Sequence, residues 1–69
     1  MKKLWIARDE EGTLVLYTEK PEKIDDIFIA PTEDTSFIFL KKDRYPEVTF
    51  ENSPQQVELK LIEDENRAN

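Results

Sequence analysis

Apolar residues in this chain are gathered into four short blocks: Leu4-Trp5-Ile6-Ala7, Leu14-Val15-Leu16-Tyr17, Ile27-Phe28-Ile29-Ala30 and Phe37-Ile38-Phe39-Leu40. Each is rich in aromatic or branched residues, as strands are, and each is stopped within two residues by a charge or a Pro. No amphipathic stretch is long enough to form a covering helix. The chain is therefore expected to build sheet and little else.

The connections refine this picture. Leu4–Arg8 and Thr13–Thr18 flank the acidic loop Asp9-Glu10-Glu11-Gly12, which ends in the only Gly of the chain. That arrangement predicts a β-hairpin in which Gly12 supplies the positive φ of a type I turn plus bulge. Around Pro21 two readings stand. A short helix from Pro21 would place Ile24, Ile27 and Phe28 at helical spacing, whereas Ile27–Ala30, stopped by Pro31, reads as a strand. Phe37–Leu40 is a strand. Lys41–Tyr45 is expected as one helical turn or a loop, because Tyr45 precedes Pro46 and is biased away from the α region. Glu47–Glu51 and Val57–Leu61 alternate polar and apolar residues and are predicted as strands. A helix competes for the second of these, since Ser53-Pro54-Gln55-Gln56 fits a capping box with Pro at the first helical position. The expected fold is mostly β, a small antiparallel sheet or partly open barrel of five to six strands with at most one short helical turn. It forms a single domain over residues 1–62, followed by a polar tail at 63–69 that frays.

Composition narrows the chemistry. With no Cys there is neither a disulfide framework nor a thiolate metal site, and with no His the usual neutral-pH base is missing. Sixteen acids against ten bases give a net charge of -6, which disfavours direct nucleic-acid binding and anionic membrane surfaces. Such a field instead favours a basic protein partner, or none. No apolar run reaches the ~20 residues of a membrane span, and the start lacks the apolar stretch of a signal peptide. The expectation is a cytoplasmic protein without cofactor or metal.

The blocks differ from the last two predicted strands in one informative way. Val48 and Phe50, like Val57, Leu59 and Leu61, are opposed by polar residues, whereas the earlier blocks are apolar on both faces. Leu4 and Ile6 oppose Trp5 and Ala7, Leu14 and Leu16 oppose Val15 and Tyr17, and Phe37 and Phe39 oppose Ile38 and Leu40. Strands apolar on both sides belong to sheets covered on both sides. Either a loop folds back over the second face or another chain covers it. A chain of this size buries only ~60% of its unfolded surface, and association commonly makes up that shortfall. The expected interface comprises Trp5, Ala7, Val15 and Tyr17, meeting a copy of the chain or a foreign protein. A plain cross-strand stack of Trp5 on Tyr17 is the competing explanation.

Other constellations are weaker. The acidic clusters Asp25-Asp26, Glu33-Asp34 and Asp9-Glu10-Glu11 fall in turns, so acid–base catalysis is not expected. Lys41, Lys42 and Arg44, with Tyr45 as a stacking platform, form the alternative site for a small ligand or nucleotide. Acidic DNA mimicry needs a ladder of acids at the ~6.6 Å strand repeat, which only Glu47-Thr49-Glu51 approaches.

Two stretches also carry a resemblance. Lys3–Asp9 through Gly12, followed by Leu14 to Pro21, resembles the opening of small uncharacterised proteins encoded by bacteriophages, prophages and mobile elements. Tyr45–Glu51, followed by Val57-Glu58-Leu59-Lys60-Leu61, resembles their C-terminal half, where Trp or Phe holds the place of Phe50. The resemblance implies an intracellular accessory protein acting on its host, and brings no activity or site residues with it. Together these readings lead to a non-catalytic protein-binding module, such as an inhibitor of a host factor. Ligand sequestration and DNA mimicry are the alternatives.

Overall fold

The computed structural model describes residues Lys2–Leu59 of the chain. Within them lie six strands and no helix: β1 (Lys2–Arg8), β2 (Leu14–Tyr17), β3 (Glu22–Ile24), β4 (Ile27–Ile29), β5 (Phe37–Leu40) and β6 (Gln55–Leu59). Four of them form an antiparallel sheet in the order β5-β2-β1-β6, while β3 and β4 pair as a separate hairpin. The sheet is open, with β5 and β6 as its edges, and does not close into a barrel.

The β1–β2 hairpin forms as its residues dictate. Gly12 takes φ 98°, its amide donates to the Asp9 carbonyl at 3.0 Å, and the Asp9 amide donates to the Thr13 carbonyl at 3.0 Å. Asp9 also caps the loop, its Oδ1 accepting from the Glu11 and Thr13 amides at 2.9 Å each. This is the Asx geometry that makes Asp a turn residue.

Of the two readings after Pro21 the strand holds, since Ile27–Ile29 pairs with Glu22–Ile24 in a hairpin that turns at Asp25 with φ 55°, a conformation that Asp tolerates. Two expectations are corrected. Residues 47–51 form no strand. Their alternation buries Val48 alone while the backbone coils, so Glu47-Thr49-Glu51 makes no acidic ladder and DNA mimicry loses its motif. The last strand starts at Gln55, two residues earlier than its alternation marks. Residues 60 and 61, the domain limit at 62 and the tail at 63–69 lie outside the described residues.

Each face of the sheet has its own cover. On the first face Ile6 and Leu14 are buried with Val48, and Leu16, Leu40 and Val57 pack around them. Val48 comes from the long 41–54 connection, which the Arg8 side chain holds in place. Arg8 Nε donates to the Val48 carbonyl at 2.6 Å, and its two Nη atoms donate to the carbonyls of Gly12, Lys42, Arg44 and Tyr45 at 2.7–3.1 Å. All the guanidinium nitrogens are thereby engaged in charge-assisted bonds. Tyr45 sits at φ 51°, strained for a bulky residue, and its carbonyl is gripped by both Arg8 and the Val48 amide.

On the second face Ala7, Val15 and Tyr17 are buried, with Trp5 and Phe28 packed against them. Phe28 comes from the β3–β4 hairpin, which therefore folds back over this side of the sheet. The hairpin is lightly held. Glu10 donates its amide to the Asp26 carbonyl at 3.2 Å, Tyr17 Oη donates to the Phe28 carbonyl at 3.4 Å, and Lys23 Nζ lies 4.0 Å from the Phe50 ring centre.

Candidate functional site

The second face decides where a partner can dock. Of the expected interface residues, Ala7, Val15 and Tyr17 are 2%, 7% and 5% exposed and Trp5 is half-buried. The β3–β4 hairpin lies over this face, so these four residues present no open surface of their own, and Ala7, Val15 and Tyr17 are reached only as the floor of a cleft beside β5. Trp5 and Tyr17 are direct cross-strand partners, as the stacking alternative requires, yet the nearest ring to Tyr17 is Phe37, at 5.9 Å.

The uncovered apolar surface lies farther along the same sheet. Phe37, Ile38 and Phe39 on β5 are 49%, 58% and 69% exposed. By register Phe37 faces Tyr17 and Phe39 faces Val15, so both phenylalanines stand on the second face, and Ile38 opposite Leu16 stands on the first. The rings of Phe37 and Phe39 meet edge-on at 6.0 Å. Between β5 and the hairpin runs a cleft of about 420 Å³, floored by Ala7, Val15 and Tyr17 and rimmed by Ile27 and Ile29. Those two rim residues are exposed as well. Burial of the Tyr17 phenol on this floor, with Asp9 adding a smaller electrostatic effect, raises its pKa above the ordinary tyrosine value.

β5 is also an edge strand, and its hydrogen bonding can be read residue by residue. The Thr18 amide donates to the Ser36 carbonyl at 3.0 Å, and the Ser36 amide is answered by Thr18 Oγ1 at 2.9 Å. Ser36 therefore turns its backbone groups toward β2, and by antiparallel alternation so do Ile38 and Leu40. The N–H and C=O groups of Phe37 and Phe39 point away from the sheet. No Pro, Gly or charge interrupts residues 37–40, so the usual protections of an edge are absent there. The opposite edge, β6, follows Pro54 and carries Gln55, Gln56 and the exposed Glu58.

The basic cluster fares differently from its expectation. Lys41, Lys42, Arg44 and Tyr45 are exposed, but the loop closes with the Lys42, Arg44 and Tyr45 carbonyls turned in toward Arg8. Tyr45 lines a groove of about 400 Å³ with Leu4, Leu16 and Val57, and none of the three cations lines it. The cluster is not assembled into a phosphate pocket. Glu47 and Glu58 also line that groove, and both are exposed. Among the described residues no group of three acids converges on a metal position, and no helix is long and apolar enough to cross a membrane.

Arg8 is the residue that sequence reasoning passed over. Its signal was its parity: on the Leu4, Ile6, Arg8 side of β1 a cation points inward, and an inward cation must find acceptors. No family model matches the chain, and no curated protein or solved structure matches it.

Proposed function

We propose that the chain is a non-catalytic protein-binding module that docks through the outer edge of β5 and the apolar cleft beside it. The observation that carries this reading is the exposure of Phe37, Ile38 and Phe39, at 49%, 58% and 69%, on a strand whose outward backbone groups have no partner among the described residues. Aromatic anchors next to a free edge suit strand addition, in which main-chain bonds give affinity and neighbouring side-chain pockets give selectivity. The cleft floored by Tyr17 supplies such a pocket. In a cytoplasmic, phage-type setting, the partner is a host factor whose own surface the docked module blocks, or a copy of the chain itself. The net charge of -6 favours a basic partner surface around the apolar contact.

Immobilised wild-type protein and its Phe39→Lys variant, presented to a bacterial lysate, test this reading once circular dichroism shows that the variant keeps its fold. At least one protein should be retained by the wild type, lost with Phe39→Lys, and reproduced as a pairwise complex from purified components. Identical sets retained by both baits would contradict the proposal.

A further inference from the structure

We infer that β5 pairs with β5 of a second copy, joining two four-stranded sheets into one continuous eight-stranded sheet about a two-fold axis. This rests on the β5 edge being the docking surface and names its occupant. The backbone sets the register. Only Phe37 and Phe39 aim their N–H and C=O groups outward, so an antiparallel copy makes most bonds when Phe37 faces the partner's Phe39 and Phe39 faces the partner's Phe37. Ile38 then meets the partner's Ile38 on the axis, as a non-hydrogen-bonded pair with Cα atoms ~4.5 Å apart. Four phenylalanine rings gather on the second face, extending the edge-on Phe37–Phe39 contact already present within one chain, and the two isoleucines cover each other on the first. A contact of this kind is self-complementary, as a two-fold interface requires.

The local charge pattern along β5 is complementary to that of a second copy. Two copies each carrying -6 should repel, but the charge around β5 is unevenly placed. Glu33 and Asp34 precede the strand, and Lys41, Lys42 and Arg44 follow it, with Asp43 the one acid among them. Antiparallel pairing lays the acidic end of one β5 beside the basic end of the other, twice over. A parallel arrangement would stack like charges instead. The β6 edge, with Glu58 and two glutamines, has neither the apolar strip nor this polarity.

Sedimentation equilibrium of the full chain over micromolar to millimolar concentrations is the test. Wild type should approach twice the chain mass. Ile38→Lys, which sets two ammonium groups on the axis, should remain at the chain mass. Asp34→Lys should weaken association about tenfold, and adding Lys42→Asp to it should recover most of that loss. A wild type at single mass throughout, or a dimer that survives Ile38→Lys, overturns the inference. The broader docking reading is separable. A monomeric wild type whose Phe39→Lys variant still loses a foreign protein refutes the second copy alone, whereas a monomer that loses nothing with Phe39→Lys refutes both.

Discussion

The two faces of the sheet are covered by different means. Over the first, the 41–54 connection is tied down by one guanidinium that engages five carbonyls, and the apolar residues beneath it close around Val48. Over the second lies a two-stranded hairpin whose exposed Ile24, Ile27 and Ile29 look outward and whose hold on the sheet is mainly Phe28. A hairpin of two strands is marginal by itself. Directed hydrogen bonds fix Val48 over the first face although a groove of about 400 Å³ remains beside it, whereas the second face relies on one half-buried ring and keeps a cleft of about 420 Å³ with two bare phenylalanines. The contrast is in how firmly each cover is fastened.

The sharpest way to break this contrast is Arg8→Ala. It strands backbone acceptors and releases Val48, and should cost about 3 kcal/mol in urea unfolding, since bonds to charged groups are each worth roughly 1.5–3 kcal/mol. Arg8→Lys should recover only part of this, because an ammonium has three donors and no planar fork. A loss below 1 kcal/mol for Arg8→Ala would mean that the connection is held by its own turns. Phe28→Ala comes next. The side chain is half-buried, so about 2 kcal/mol is expected, roughly half the cost of emptying a full core position. This variant should speed amide exchange in residues 22–29 while leaving Val48 protected. Equal loosening of both covers would show that they are one cooperative unit.

The smallest effect is alkaline. Because the folded Tyr17 phenol holds its proton more tightly than the unfolded one, its stabilisation is complete below pH ~10 and falls as pH rises through the folded value. Urea melts of a Tyr45→Phe protein across that range should show the decline, and a further Tyr17→Phe change should abolish it. A decline that persists without Tyr17 assigns the effect elsewhere.

Much of the sheet was legible because its information is local. Four apolar blocks, the Asp9–Gly12 loop and the alternation at Val57-Glu58-Leu59 each specify a strand or turn within a few residues. What escaped depends on distance. Glu22-Lys23-Ile24 is polar and exposed and becomes a strand only by pairing with Ile27–Ile29. Glu47–Glu51 alternates as a strand does, yet Arg8, some forty residues away in sequence, draws the Val48 carbonyl toward itself and the segment coils. The apolar excess of the N-terminal half was correctly visible in Trp5, Ala7, Val15 and Tyr17, but its destination was not. The alternation of Phe37-Ile38-Phe39-Leu40 shows two apolar faces, and only strand order reveals that this block ends at an edge while Leu14–Tyr17 is central.

Hydrogen exchange at four consecutive amides tests the central claim most directly. Ile38 and Leu40 should be protected at every protein concentration, since they bond to β2, whereas Phe37 and Phe39 should exchange fast in dilute solution and slow progressively as concentration rises. Rates at Phe37 and Phe39 that are independent of concentration would contradict the pairing of two copies through β5.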